Sequence, residues 1–316
     1  MKTNKENNSV LVTTYTLVYN HGPYLRRCLD GLVMQKTNFK FKCFIHDDAS
    51  TDNSATIIRE YVKKYPDLFD AVLETENQYS KHDGSLGRIV AEHLKGKYIA
   101  MCEGDDYWTD PLKLQKQVDI LEGNPSISLV YTGFKNIDEN DAVIKRDYYD
   151  QLCLESPSGD ILGDLFKKNY IMAVTVVYRR IVCESQLYNN SPKSYDYAIF
   201  LAASILGKIK FLPDKTACYR MNSGSLIVSH KESLQPTFDR IFVYFSEAFL
   251  DGAGFKRTYS QRIKIYCDIL LGALNNEKRL IPIIKNKKII LLFPFVLIYS
   301  FVKRGTSKLK RIINNF

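Results

Sequence analysis

The sequence predicts an α/β fold, a mostly parallel sheet flanked by helices, on three observations. Over the first 130 residues short apolar runs alternate with stretches of helical periodicity, capping and stop residues stand between them, and three of the apolar runs end directly in polar clusters. Such alternation marks strands joined by crossover helices. With 316 residues, 45% hydrophobic and 12% aromatic, the chain can bury a full core and carry an appendage.

The elements follow in order. "VLVTTYTLVYN" (10–20) reads as a buried strand, and "PYLRRCLDGLVMQ" (23–35) as a helix with proline in its first turn and Leu25, Leu29, Leu32 and Val33 on one face. "FKFKCFIHDD" gives a second strand and "STDNSATIIREYVKKYP" a capped helix stopped by proline. A short strand near 71–74, a helix over 86–94, a strand at 98–102 and a helix over 111–121 complete the first half. Beyond Asn124 the rhythm loosens: "SISLVYTGFKNID" reads as a strand and bend, "YIMAVTVVYRR" as a strand, "SYDYAIFLAASILGK" as a helix and "KIKFLPDKTACYR" as a strand pair. Two amphipathic helices are expected between 232 and 274. The expected organisation is a main domain over 1–230, a C-terminal helical extension over 231–280 and a basic, apolar tail over 281–316.

The net charge of +9 raises the question of a nucleic-acid partner, and its distribution excludes one. Residues 277–316 carry ten Lys or Arg against one acid, leaving the preceding 276 balanced. Fourteen mostly apolar residues, 289–302, sit between basic flanks with Pro294 among them. The run is shorter than the roughly 20 residues that span a bilayer, so the expectation is an interfacial helix on an anionic membrane surface. The start of the sequence carries no secretory pattern, and seven scattered cysteines without CxxC spacing read as reduced thiols. The expected location is cytoplasmic, peripheral at the inner face of the cell membrane.

The three polar clusters are "YNH" (19–21), "HDDAS" (46–50) and "EGDDYW" (103–108). In an open parallel sheet ligands bind beyond the carboxyl ends of the strands, so three such clusters imply one shared cleft. Glu103, Asp105 and Asp106 repel one another unless something positive joins them. Hard carboxylate oxygens suit Mn2+ or Mg2+, and such ions commonly share substrate phosphates. Gly104 would permit a bend and the close approach of a ligand. The competing reading is an acidic turn before the helix at Pro111, a role that Asp110 fills better. Neither GxxxxGK(S/T) nor a strand followed by GxGxxG occurs, which argues against ATPase and dinucleotide chemistry, and HExxH is absent.

With those residues in view, the chain resembles the family 2 glycosyltransferases of GT-A fold, Rossmann-like enzymes. The likeness runs through "LVYNHGPYLRRCLDGLVMQ", "FKFKCFIHDDASTDNSATIIREYVKKYPD", "TENQYS" and "GKYIAMCEGDDYWTDPLKLQKQVDIL", then more weakly to "CYRMNSGS". The resemblance implies a nucleotide-diphosphate sugar across the strand ends, with Tyr19 and Asn20 flanking the nucleotide and Asp48, beside Asp47, at the base. It implies that Glu103, Asp105 and Asp106 form the DXD-type element, with Asp105 and Asp106 on the metal. Many members place a histidine after "YR"; here Asn222 stands there as the third metal ligand, with His230 an outside alternative. Asp196 matches the catalytic base that takes the acceptor hydroxyl's proton in an inverting displacement, against a competing role as a helix cap.

Arg88 or Lys81 is a candidate for the diphosphate, against solvated side chains, and Trp108 for stacking on a sugar, against plain packing. "NSGSLIVSH" reads as a lid over the donor. The expected partners are the nucleotide-diphosphate sugar, probed first as a UDP-sugar, and a glycan or lipid-linked acceptor of cell-surface polysaccharide assembly. Two other functions fit the fold. A sugar nucleotidyltransferase would need a glycine-rich basic loop that "YNHGPYLRR" lacks, and a non-catalytic scaffold is favoured only by Asn222.

Overall fold

The computed structural model describes residues 9–144, 156–192, 196–221, 231–252 and 257–273, with Arg279, Pro282 and Ile283. The first half follows the predicted rhythm: β1 (Val12–Val18), α1 (Gly22–Val33), β2 (Phe41–Asp47), α2 (Ser54–Lys64), β3 (Phe69–Leu73), α3 (Ser85–His93) and β4 (Tyr98–Met101). Then come β5 (Tyr107–Trp108), α4 (Lys113–Gly123), β6 (Ile127–Ile137), α5 (Leu162–Lys167), β7 (Val177–Arg179) and the short helices α6 (Ile181–Glu184) and α7 (Gln186–Asn189). The described chain closes with α8 (Asp196–Leu206), β8 (Lys208–Arg220), α9 (Lys231–Leu250) and α10 (Tyr259–Ala273).

Among the described residues the strands form one mixed sheet in the order β3-β2-β1-β4-β7-β6-β8-β5. β2, β1 and β4 run parallel and adjacent, with Val18 opposite Asp47 and Tyr15 opposite Met101. Strand order therefore reverses at β1, which puts the β1 and β4 ends at a switch point where such sheets hold ligands. β7 joins antiparallel to both β4 and β6. The "mostly parallel" expectation holds for the first half, and the second half makes the sheet mixed.

Side chains alternate across the sheet because the strand period is two. Tyr15 of β1 and Ile99 and Met101 of β4 join one apolar layer with Phe166, Phe200, Phe242, Phe245 and Ile265. Val12, Val18, Tyr98 and Ala100 join the other with Leu25, Leu29 and Leu32 of α1 and Leu114 of α4. Apolar residues of α9 and α10 therefore lie in the layer that takes Tyr15, Ile99 and Met101.

Three local expectations change. Residues 208–220 form one strand rather than a pair. Its parallel register with β6 jumps from Leu212 to Lys215, so Pro213, which has no N–H to donate, falls in the irregularity. Residues 170–180 yield a strand only at Val177–Arg179. The preceding 3-10 turn (Ala173–Thr175) gives its Val174 carbonyl to Trp108 Nε1 and its Thr175 carbonyl to Lys113 and Gln117. The helix expected from Pro111 begins at Lys113, and Asp110 Oδ1 accepts the Leu112 N–H at 2.8 Å ahead of it. β5, only two residues long, gave no periodic signal.

Candidate active site

Three hydrogen bonds stitch the polar clusters into one rim. Asp48 N–H donates to the Val18 carbonyl (2.9 Å), Gly104 N–H to the Leu17 carbonyl (3.0 Å), and Asn20 N–H to Ser50 Oγ (2.9 Å). Asn20 sits at φ 57°, a left-handed conformation that asparagine tolerates, and its Oδ1 accepts the Thr51 N–H at 2.8 Å. The ring of Tyr19 beside it is 50% exposed.

Asp47 and Asp48 are both buried, and both carboxylates are already engaged. Ser50 donates its hydroxyl and its N–H to Asp47, whose pKa burial still raises. Asp48 accepts the Gln78 N–H at Oδ1 (2.6 Å) and the Tyr79 N–H at Oδ2 (3.0 Å), so it anchors the loop after β3. Arg88, on α3, is exposed and turns back on the start of its own helix, donating to the Asp83 carbonyl at 2.9 Å. Lys81 pairs with Glu76 at 3.1 Å.

The acidic run is divided in character. Glu103 has its pKa pushed up to about 8, chiefly by burial, then by the charges of Asp105 and Asp196. Among the described residues no cation pairs with its carboxylate. Asp196 opens α8, and its Oδ1 accepts the Tyr197 N–H at 2.7 Å; burial raises its pKa as well. That bond is to the next residue and not the helix-cap pattern, and the Asp196 charge is felt at Glu103 from 93 positions away. Tyr15, in the layer with Ile99 and Met101, also feels both Glu103 and Asp196.

Asp106 behaves differently. It is 2% exposed, and its Oδ1 accepts the Arg220 N–H at 2.7 Å, so this carboxylate is turned towards the end of β8. Burial, then Asp105, pushes its pKa well up. Sequence reading missed Arg220, which also donates Nε–H to the Asp105 carbonyl at 2.8 Å. The only local signal was its place in "CYRMN", two residues before the one expected on the metal.

Two expectations are corrected. The room at Gly104 is taken by the protein: a Cβ there would lie 2.6 Å from His21 Nδ1 and 3.1 Å from Val18, so glycine is required by the packing of β1 against the acidic loop. Trp108 does not face a sugar; it is 1% exposed, with Lys113 Nζ 4.4 Å from its ring centroid. Asn222 and His230, with the lid segment 222–230, lie outside the described residues, as does nearly all of the tail 281–316.

Among the described residues no three His, Cys, Asp or Glu side chains form a ready metal cluster. The donor chemistry nevertheless fits a hard divalent cation: oxygen ligands only, with a half-buried Glu103 whose repulsion with Asp105 and Asp196 such an ion would relieve.

The sequence profile of glycosyl transferase family 2 matches residues 13–222, from β1 through the end of β8. The chain belongs to glycosyl transferase family 2. An uncharacterized Mycobacterium tuberculosis protein is 36% identical over 212 residues, 66% of this chain and 58% of its own length, so the chain spans little more than half of that relative. The family fold recurs in S. aureus TarS residues 1–349 in complex with UDP-GlcNAc (TM-score 0.59, 16% identity, 84% of this chain and 73% of that one). It recurs again in the mannosyltransferase PcManGT of Pyrobaculum calidifontis, solved with GDP-Man and Mn2+ (TM-score 0.55, 15% identity, 96% and 79%). These neighbours establish the GT-A fold, and with it the α/β class read from the sequence.

Proposed function

We propose that this family 2 glycosyltransferase moves a hexosyl group from a nucleotide-diphosphate sugar, a UDP-sugar in the first instance, to an acceptor hydroxyl with inversion. The observation that carries the proposal is that Glu103, directly after β4, feels the charges of both Asp105 and Asp196, the latter at the start of a helix far along the chain. A base and a diphosphate site on one cleft are what direct displacement at an anomeric carbon requires. The sugar-nucleotide complexes of TarS and PcManGT support the donor class.

In this reading Tyr19 and Asn20 flank the nucleoside. Asp48 shapes the base pocket by holding the Gln78–Tyr79 amides, with Asp47 fixing the turn beneath. Asp196 takes the acceptor proton, and burial lifts its pKa towards the neutral range where a general base works best. Glu103 and Asp105 meet the ribose and diphosphate, and Arg88 is the basic side chain assigned to the phosphates. Mn2+ or Mg2+ would be held by Asp105 first, with Asp106 and Asn222 as further oxygen donors. When bound, such an ion offsets the charge that collects on the departing diphosphate.

The acceptor class is a glycan or lipid-linked sugar of cell-surface polysaccharide assembly, reached from the cytoplasmic face with residues 281–316 on anionic lipid. Among the described residues no helix is long and apolar enough to cross a membrane.

Incubating the purified chain with UDP- and GDP-sugars, with and without Mn2+, tests the reaction. Nucleoside diphosphate release supports transfer, pyrophosphate indicates nucleotidyl transfer, and turnover of no sugar nucleotide overturns the proposal. Vesicle flotation of the full chain against one ending at residue 280 tests the tail, and equal binding to anionic vesicles overturns that part.

A further inference from the structure

Arg220 is 1% exposed, and the protein uses every part of its guanidinium. Besides the Nε bond to the Asp105 carbonyl, Nη1 donates to the Asp138 carbonyl at 2.7 Å and Nη2 to Asp141 Oδ1 at 2.6 Å. Its carbon centre lies 4.3 Å from the Tyr24 ring centroid. Asp141 gives its other oxygen to Arg27 at 2.8 Å, and Arg27 donates onward to Tyr107 OH at 3.3 Å. The turn that presents Asp141 is itself fixed: Asp141 sits at φ 66°, and Asp138 Oδ1 accepts the Asn140 and Ala142 N–H groups. A buried arginine is expensive unless fully paired, so this pairing has to be explained by what it holds in place.

What it holds is the acidic run, from behind. The Arg220 backbone N–H fixes the Asp106 carboxylate and its side chain fixes the Asp105 carbonyl, so residues 105 and 106 are clamped to β8 and to the turn after β6. Replacing the planar fork by a point charge would keep the charge and lose the geometry.

We infer that the Arg220–Asp141–Arg27 strut is a positioning device that sets the orientation in which Asp105 meets the diphosphate end of a nucleotide, an inference that rests on the donor reading above. Arg220 acts through Asp105 and Asp106 and touches no substrate.

Two variants test it, Arg220→Lys and Asp141→Asn, the second at a side chain 30% exposed, where the amide keeps one acceptor oxygen and turns a donor on the other arginine. Hydrogen exchange of a peptide covering 103–107 should speed about tenfold in Arg220→Lys, the loss expected for one bond involving a charged group, with β1 and β2 amides unchanged. With Mn2+ present, UDP should bind about tenfold more weakly to both variants, while uridine, which lacks the diphosphate, binds as to wild type. Unchanged exchange at 103–107 in Arg220→Lys, or equal weakening of UDP and uridine, overturns the inference. If Arg220→Lys fails to fold, unaltered UDP binding by Asp141→Asn overturns it. If the wild-type chain binds neither UDP nor GDP, the donor reading fails, and the exchange measurement still decides whether the strut orders the acidic run.

Discussion

The two sides of the acidic run differ in how their charge is balanced. On the cleft side Glu103 faces Asp105 and Asp196 with no cation paired to it among the described residues, and its carboxyl is pushed up to about 8. On the far side the Asp106 carboxyl, also pushed well up by burial and by Asp105, is held by the Arg220 backbone N–H, and the charge balanced there is that of the Arg220 guanidinium, which Asp141 answers while its Nε–H holds the Asp105 carbonyl. Charge left unbalanced in a folded chain costs stability, so it persists where a ligand is to supply the balance. Charge balanced internally marks the part that must stay still. On the proposed reading, the contrast separates groups that meet a substrate from groups that hold the first set in place.

The strongest way to break the comparison is Asp196→Asn. A cleft-side base should lose about 10²- to 10⁴-fold in kcat, with UDP affinity nearly unchanged by calorimetry. Wild-type activity in that variant would return Asp196 to a helix cap. The acid limb of the wild-type pH–rate profile should also lie above the ordinary aspartate range, because burial favours the protonated form.

On the far side, Arg220→Met removes one member of a buried network and should cost about 3–5 kcal/mol in urea unfolding. A loss no larger than that of a surface pair would show the two sides to be alike.

Asn20→Ala removes the acceptor for the Thr51 N–H and puts a Cβ without polar compensation at φ 57°, for a loss of about 1–2 kcal/mol. Asn20→Gly should restore most of the backbone part.

The smallest effect has the most telling sign. Glu103 binds its proton more tightly folded than unfolded, so its contribution is intact below about pH 4.5 and is lost as pH rises through about 8. Glu103→Gln should therefore stabilise the ligand-free protein at pH 8.5 and leave it unchanged at pH 4.5, while impairing transfer. Destabilisation at pH 8.5 would mean that Glu103 already has a partner, and the contrast would collapse.

The legible parts of the fold were those carried by local pattern. The β1 and β2 runs, the Leu25–Leu29–Leu32 face of α1 and the polar clusters after β1, β2 and β4 could all be placed from apolar periodicity, because each signal lies within one element. β5 was not legible, being too short to show a period. Nor was the long β8, where Pro213 looked like a turn between two strands and is instead an irregularity within one. Trp108 misled for a related reason. Its neighbours in sequence are polar cleft residues, whereas its neighbours in space are Val174 and Lys113.

For the site, the sequence by itself determined the family, the acidic run and the expectation of a base at the start of a late helix, since those rest on residue types at short spacings. Only the tertiary structure decided that Asp196 shares a field with Glu103, that Asp48 is committed to the Gln78–Tyr79 amides, and that one Asp106 oxygen is held by the backbone N–H of Arg220, 114 residues along the chain. Short-range periodicity records what each segment buries. Which distant charge stands beside which is set by strand order and packing, which no local spacing encodes.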